Sequence, residues 1–413
     1  MPDNAGLLLN LGLAQEMAGH SQAAIPNFEA VLKAQPDNVP ALSSLAEAYA
    51  NVNRFEQAAD MYHKLAAADA ADPQAWYGLG KAYEALATRA FASLSKIAPQ
   101  SPYVAALLAD SRLQRRQYRS AFFFYREAQS KLPNLPGLHA GLASVYQNTG
   151  HPDWTSSEQH AEHALEAQPC TAQTAECRFR KADYLGAAAN VRPGSPNPTA
   201  LFWATKAYNQ LAVNAFGQLG KLPDSVEIHA LKAQILQGHG QNTEATAEWK
   251  AALAFAPGDP RLETELARSL FLAHNYDEVM PMLAGMLVHD PSAPDLNFMM
   301  GESLWRTQQP EKAVPYLTAA LKADPGMLPA HAALGMVEAL LNRPAEAVPH
   351  LEKAQSLDDD GSLHYSLARA YQAAGNTAKA QNTMREYAQI KQKNQQINDR
   401  LAKEAEISAP PPH

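Results

Sequence analysis

A block of 34 residues recurs three times without a gap toward the C-terminal end, at residues 260–293, 294–327 and 328–361. So short a tandem period restricts each copy to one supersecondary unit, which cannot bury a hydrophobic face alone and must stack on its neighbours. The matches are positional. The seventh place holds Leu266, Met300 and Leu334, the eighth Ala267, Gly301 and Gly335, and the twentieth Val279, Ala313 and Ala347. The twenty-fourth holds Leu283, Leu317 and Leu351, and the twenty-seventh Met286, Ala320 and Ala354. Apolar residues three, four and seven apart give each half-block one buried helical face, and a small eighth residue lets two antiparallel helices approach closely. Each block therefore predicts a helical hairpin.

The turn and the ends of the hairpin are also written in the sequence. At the fifteenth place Gly19, Asn53, Gly150, Gly240, Asn342 and Gly375 can take the left-handed conformation that ends a first helix. Closing residues such as Pro291 and Pro325 cannot continue a second helix. Pro26, Pro281, Pro315 and Pro349 share the twenty-second place, near the start of the second helix, where a missing amide is tolerated or bends the helix slightly.

These positions resemble the tetratricopeptide repeat, whose signature runs from a large residue through Leu-Gly and Tyr to Ala, Phe, Ala and a closing Pro. Residues 5–38 match with Leu11, Gly12, Gly19, Ala24, Phe28 and Pro36, and residues 39–72 with Leu45, Tyr49, Phe55, Ala58 and Tyr62. Trp76, Leu79, Gly80 and Tyr83 give the opening in full; residues 102–135, 136–169, 226–259 and a unit from 361 complete the series. The resemblance implies an all-α fold, a right-handed solenoid of antiparallel helix pairs whose first helices line a concave groove.

Two segments depart from the period and resemble each other. Lys81, Ala82, Tyr83, Leu86, Ala87, Ala90, Phe91, Leu94 and Lys96 return, at an offset of 125, as Lys206, Ala207, Tyr208, Leu211, Ala212, Ala215, Phe216, Leu219 and Lys221. Each reads as one long helix in place of a hairpin, duplicated with a larger block and wedged into the stack. Between Cys170 and Thr199 the pattern lapses into a helical stretch, residues 171–189, and the Pro-rich run Val191 to Pro198, a candidate hinge. The expected organisation is an N-terminal sub-array (1–169), a Cys-containing helix and hinge (170–200), a C-terminal sub-array (201–394), and a polar capping helix end with a disordered tail (395–413).

Composition narrows the function. With 46% apolar and 18% charged residues and a net charge of −8, the chain can bury a large core and is poorly suited to binding by phosphate neutralisation, so no nucleic acid is expected. Arg112, Arg115, Arg116 and Arg119 precede Phe122 to Tyr125, but Tyr125 falls at a buried place, so this reads as core beside a solvated basic turn. No run of about 18 apolar residues predicts a membrane span. No nucleophile elbow, phosphate loop or paired-carboxylate motif is present, so no catalysis and no cofactor are expected. His160, Glu162 and His163 lack metalloprotease spacing and read as a solvated helix face. Cys170 and Cys177 stand too far apart for the tight pair of a structural zinc site; they form either a disulfide, in an oxidising compartment, or two buried thiols.

In the family the fifth, ninth and twelfth places point into the groove, and helix geometry sets them about 200° from the core face. They and their neighbours supply Arg268, Phe271, Phe298, Trp305, Arg306, Met336, Tyr365 and Arg369. Aromatics, Met and Arg are what interface hot spots are built from. The Lys, Asn and Arg pattern of carboxylate-clamp relatives is missing. The expectation is a non-catalytic scaffold that binds a peptide or helical segment of a protein partner. Alternatives are a structural component of an envelope or secretion complex, or a redox or enzyme-accessory module using the two cysteines. The opening Met1 to Asn4 reads as the tail of a preceding unit; the chain as given points to the cytoplasm, and a signal ahead of it would point to the periplasm or outside.

Overall fold

Leu317 of one helix lies so close to Gly301 of another that a Cβ at Gly301 would sit 2.6 Å from the leucine Cγ. That contact defines the unit from which the molecule is assembled. The computed structural model describes residues 3–170, 174–189, 196–404 and 406–410, and among these there is no strand. Hairpins are formed by α1 (Asp3–Met17) with α2 (Ser21–Ala34) and by α3 (Val39–Asn51) with α4 (Phe55–Ala68). After the long α5 (Pro73–Ile97) come α6 (Pro102–Gln114) with α7 (Tyr118–Lys131), and α8 (Leu138–Asn148) with α9 (Pro152–Glu166). The short α10 (Ala175–Arg180) and α11 (Tyr184–Ala188) precede the long α12 (Pro198–Leu219), then α13 (Val226–Gly238) and α14 (Asn242–Phe255). Four further pairs follow: α15 (Pro260–Leu272) with α16 (Tyr276–His289), α17 (Pro294–Arg306) with α18 (Pro310–Ala323), α19 (Leu328–Leu340) with α20 (Pro344–Ala354), and α21 (Ser362–Ala373) with α22 (Thr377–Glu404).

Local chemistry sets the helix ends. Asn38, Asp72, Ser101, Asn197 and Asp259 cap helices by accepting backbone N–H bonds, each with Pro in the first turn. The turns share one geometry: the fifteenth residue has positive φ and the next N–H closes onto the first helix, as Gln309 N to Leu304 O at 2.8 Å. Besides the Gly and Asn residues expected there, Arg116, His274 and Gln308 adopt it, with φ of 57°, 56° and 62°. Closure of the hairpin, and not residue preference, therefore sets the turn. Core positions are buried as their spacing requires: Val279, Ala313, Ala347, Leu283, Leu317 and Leu351 are all fully enclosed, while Met286 is half-buried.

The two long helices are partners and not separate wedges. They pack along each other, with the Tyr83 and Tyr208 rings stacked at 6.3 Å. Phe216 fills the space at Gly80, where a Cβ would lie 2.3 Å from the ring, while Phe91 and Thr205 line a common cavity. Moving up α5 thus means moving down α12, so the pair is antiparallel. Phe216 does for Gly80 what Leu317 does for Gly301: the first half of α5 takes its second helix from α12, and the first half of α12 takes its own from α5. At the place where hairpins turn, these helices carry Ala87 and Ala212, both buried. The exchange separates two hydrophobic clusters, one of residues 24–86 with Ala212 and Ala215, the other running from Ala90 to Ala207.

Two compact units result, one of residues 1–232 with the segment from Ile407, the other Ala233–Glu406. The division falls inside α13, and the expected hinge at 170–200 lies within the first unit, because α12 is held by α5. Residues 171–173 and 190–195 of that segment lie outside the described residues, as do 411–413 of the tail. The part from Ile407 to Pro410, within the 395–413 stretch expected to end in a disordered tail, is placed in the first unit. No helix among the described residues is long and apolar enough to cross a membrane.

Candidate functional site

In the second unit the first helices α15, α17, α19 and α21 touch in succession, forming one row of helices. Phe271 of α15 meets Phe298 of α17 edge to face at 6.1 Å, and Tyr276 at 6.5 Å. Next along α17, the Arg306 guanidinium lies 4.5 Å from the Trp305 ring centre and donates from Nε to Glu302 Oε1 at 2.9 Å. An Arg in contact with both a ring and a carboxylate is held in one orientation. Burial pushes the Glu302 carboxyl above its usual range, and Arg306 pulls it back. On α21 the Arg369 guanidinium stands 6.0 Å from the Tyr365 ring, which contacts Tyr387 of α22 at 5.6 Å. Arg268 is exposed, 3.9 Å from Glu265. Met336 is half-buried against the last hydrophobic cluster and so serves packing as well as surface. Leu272 and Leu340, at the ends of α15 and α19, are 42% and 64% exposed. The row thus offers rings, aliphatic ends and guanidinium groups.

The first unit holds what spacing alone did not reveal. Glu162, expected in a solvated face, is buried: its carboxylate accepts from Gly137 N at 2.7 Å and Ala140 N at 3.0 Å, capping the start of α8. One turn earlier on α9, the enclosed Glu158 meets His139 Nδ1 at 2.5 Å. This bond raises the His139 pKa above 6.5, against the opposing effect of burial. The i, i+4 spacing of Glu158 and Glu162 was the available signal that both share a face. His160 and His163 are exposed, as are Arg115, Arg116 and Arg119, whereas Phe122 and Tyr125 are core.

A cleft of about 730 Å³ opens beside Glu162, Trp203 and Lys206. Several of its charged groups already have partners. Lys206 pairs with Asp110 at 2.8 Å, Tyr125 donates to the same carboxylate at 2.7 Å, and Arg180 donates to the carbonyls of Leu165, Glu166 and Gln168 at the end of α9. The structure joins Cys170 to Cys177 by a disulfide, and Thr174 caps the Cys177 amide at 3.2 Å. Among the described residues no group of three or more His, Cys, Asp or Glu side chains could hold a metal ion.

Family profiles described as tetratricopeptide repeat match residues 17–82, 298–362 and 361–386. No curated protein matches the chain. Among solved structures, MamA 41-end from Desulfovibrio magneticus RS-1 is 18% identical, covering 41% of this chain and 97% of its own, with a TM-score of 0.37. YrrB, described as a TPR protein with an unusual peptide-binding site, is 21% identical over 40% of this chain and 86% of its own, TM-score 0.34. TTC0263, a thermophilic TPR protein in Thermus thermophilus, is 20% identical over 44% of this chain and 100% of its own, TM-score 0.34.

Proposed function

The chain is a tetratricopeptide-repeat protein, and from that premise we propose that it is a non-catalytic scaffold whose second unit binds a peptide or helical segment of another protein along α15, α17, α19 and α21. The supporting observation is the row itself. Phe271 and Phe298 join neighbouring first helices, and Trp305 with Arg306 continues the row with a guanidinium already oriented by Glu302. Rings lose little entropy when covered, and an Arg so oriented can fix the direction of a bound segment through a carboxylate. Phe271, Phe298 and Trp305 would be the apolar anchors, Arg268, Arg306 and Arg369 the polar ones, with Met336 and Tyr365 flanking.

Cross-linking mass spectrometry on native lysate tests the reading, with a Trp305→Ala, Arg306→Glu double variant as control. A partner should cross-link to the first helices of the second unit and be lost by about 30-fold or more in the variant, the loss expected when a hot spot worth about 2 kcal/mol is removed. Equal capture by a folded variant, or cross-links confined to the second helices, would refute it.

A further inference from the structure

Tyr146 is fully enclosed, yet its hydroxyl donates to a backbone carbonyl from the far end of the chain, Ser408 O, at 2.8 Å. The preceding Ile407 packs on the hydrophobic cluster that contains Tyr146, and Pro410 is half-buried. Around the Tyr146 ring stand Trp154 at 5.5 Å, Phe122 at 5.9 Å and His151 at 6.3 Å, with the His151 and Trp154 rings stacked 4.2 Å apart. Burial pushes the Tyr146 phenol up to about 12, so it keeps its proton and remains a donor.

The segment that reaches Tyr146 reads Ile-Ser-Ala-Pro from 407 to 410, and two more prolines follow it in the sequence. A residue before proline is biased toward extended backbone, and such segments lose little entropy on docking to aromatic surfaces whose hydroxyl or indole donors reach their carbonyls. We propose that the surface formed by Tyr146, His151 and Trp154 in the first unit is a recognition site for an extended, proline-rich peptide, occupied in cis by this chain's own Ile407–Pro410. The site is separate from the first-helix row of the second unit. One aliphatic anchor and one bond to a main-chain carbonyl make a short contact, kept filled by the high local concentration of a tethered ligand and open to displacement by a similar sequence.

Fluorescence anisotropy with a labelled peptide of residues 404–413 tests this. A chain ending at Glu406 should bind the peptide saturably, and the full chain at least 10-fold more weakly. Tyr146→Phe in the shortened chain should weaken binding about 3- to 10-fold, the range for one hydrogen bond to a carbonyl. An Ile407→Asp peptide should not bind. If the shortened chain does not fold, the full-length Ile407→Asp variant replaces it and should take up the wild-type peptide. Failure of the folded shortened chain, or of that variant, to bind overturns the proposal, as does equal binding by Tyr146→Phe. A full-length dimer that disappears on truncation would place a second copy's tail in the site and overturn the assignment in cis.

Discussion

Gly301 in the second unit receives Leu317 from the very next helix, whereas Gly80 in the first receives Phe216 from a helix far along the chain. The steric device is the same: a missing Cβ admits a large side chain and brings two helix axes together. What differs is the connection. In α17 and α18 a left-handed residue, Gln308, reverses the chain; in α5 and α12 a buried alanine stands at that place and the helix runs on. A helix that does not turn back must find a partner elsewhere, and α5 and α12 satisfy each other. Closing a longer loop costs only logarithmically more, so the exchange is thermodynamically mild, although it makes folding of the first unit depend on a distant contact. The second unit assembles from neighbours.

Breaking the continuity of α5 should have the largest effect. Ala87→Pro removes a helix bond and forces a clash in the interior, costing about 3 kcal/mol or more. Urea unfolding should show loss of the first unit with the second retained; a variant that melts like wild type would mean that α5 is not one helix. The native Pro315 stands inside α18 at its sixth residue, whereas Ala87 lies at the fifteenth of the 25 residues of α5.

Removing the inserted side chain separates the two architectures next. Phe216→Ala and Leu317→Ala should each cost about 3 kcal/mol. Hydrogen exchange tells them apart. The first substitution should deprotect amides in residues 73–97 and 198–219 together, and the second only α17, α18 and their immediate neighbours. Local deprotection by Phe216→Ala, confined to α12, would remove the idea of a shared hairpin.

The hairpins were legible because everything that closes them lies within one period: the small eighth residue, the left-handed fifteenth and the large twenty-fourth. Kinship of the long helices was legible as well, since Lys81, Tyr83 and Phe91 return as Lys206, Tyr208 and Phe216. Their contact was not, because a repeated pattern shows that two segments are alike and not that they touch. The same distinction governs the candidate site. Arg306 above Trp305 and one turn from Glu302 follows from local spacing, whereas Glu162 capping α8 and Ser408 meeting Tyr146 depend on tertiary closure.

The turns offer a smaller test. Gln308 and His274 hold positive φ without being Gly or Asn, at a cost of about 1 kcal/mol each. Gln308→Gly should therefore stabilise the second unit by about 0.5–1 kcal/mol in denaturant melts, and Ala87→Gly, in continuous helix, should destabilise the first by a similar amount. Equal signs would show that both places adopt the same backbone.

Titration gives the smallest expected contrast, with opposite signs in the two units. In the first, Glu158 raises the pKa of His139, with added attraction from Glu162. A raised folded-state value gives a contribution fully present below pH 6.5 and lost as pH rises through that value. In the second, His331 and His350 face each other at 2.8 Å between their Nδ1 atoms, and His331 Nε2 lies 3.2 Å from the Pro325 carbonyl. Burial, then the neighbouring His331 and Lys353, lower the His350 pKa. A lowered value gives a contribution present above 6.5 and lost as pH falls through it, since two charged rings cannot share that contact. Acidification from pH 8 should thus protect amides around α8 and α9 relative to those around α19 and α20. His139→Gln and His350→Gln should each flatten the trend in their own unit alone, and a common pH response that survives both substitutions would assign it to other groups.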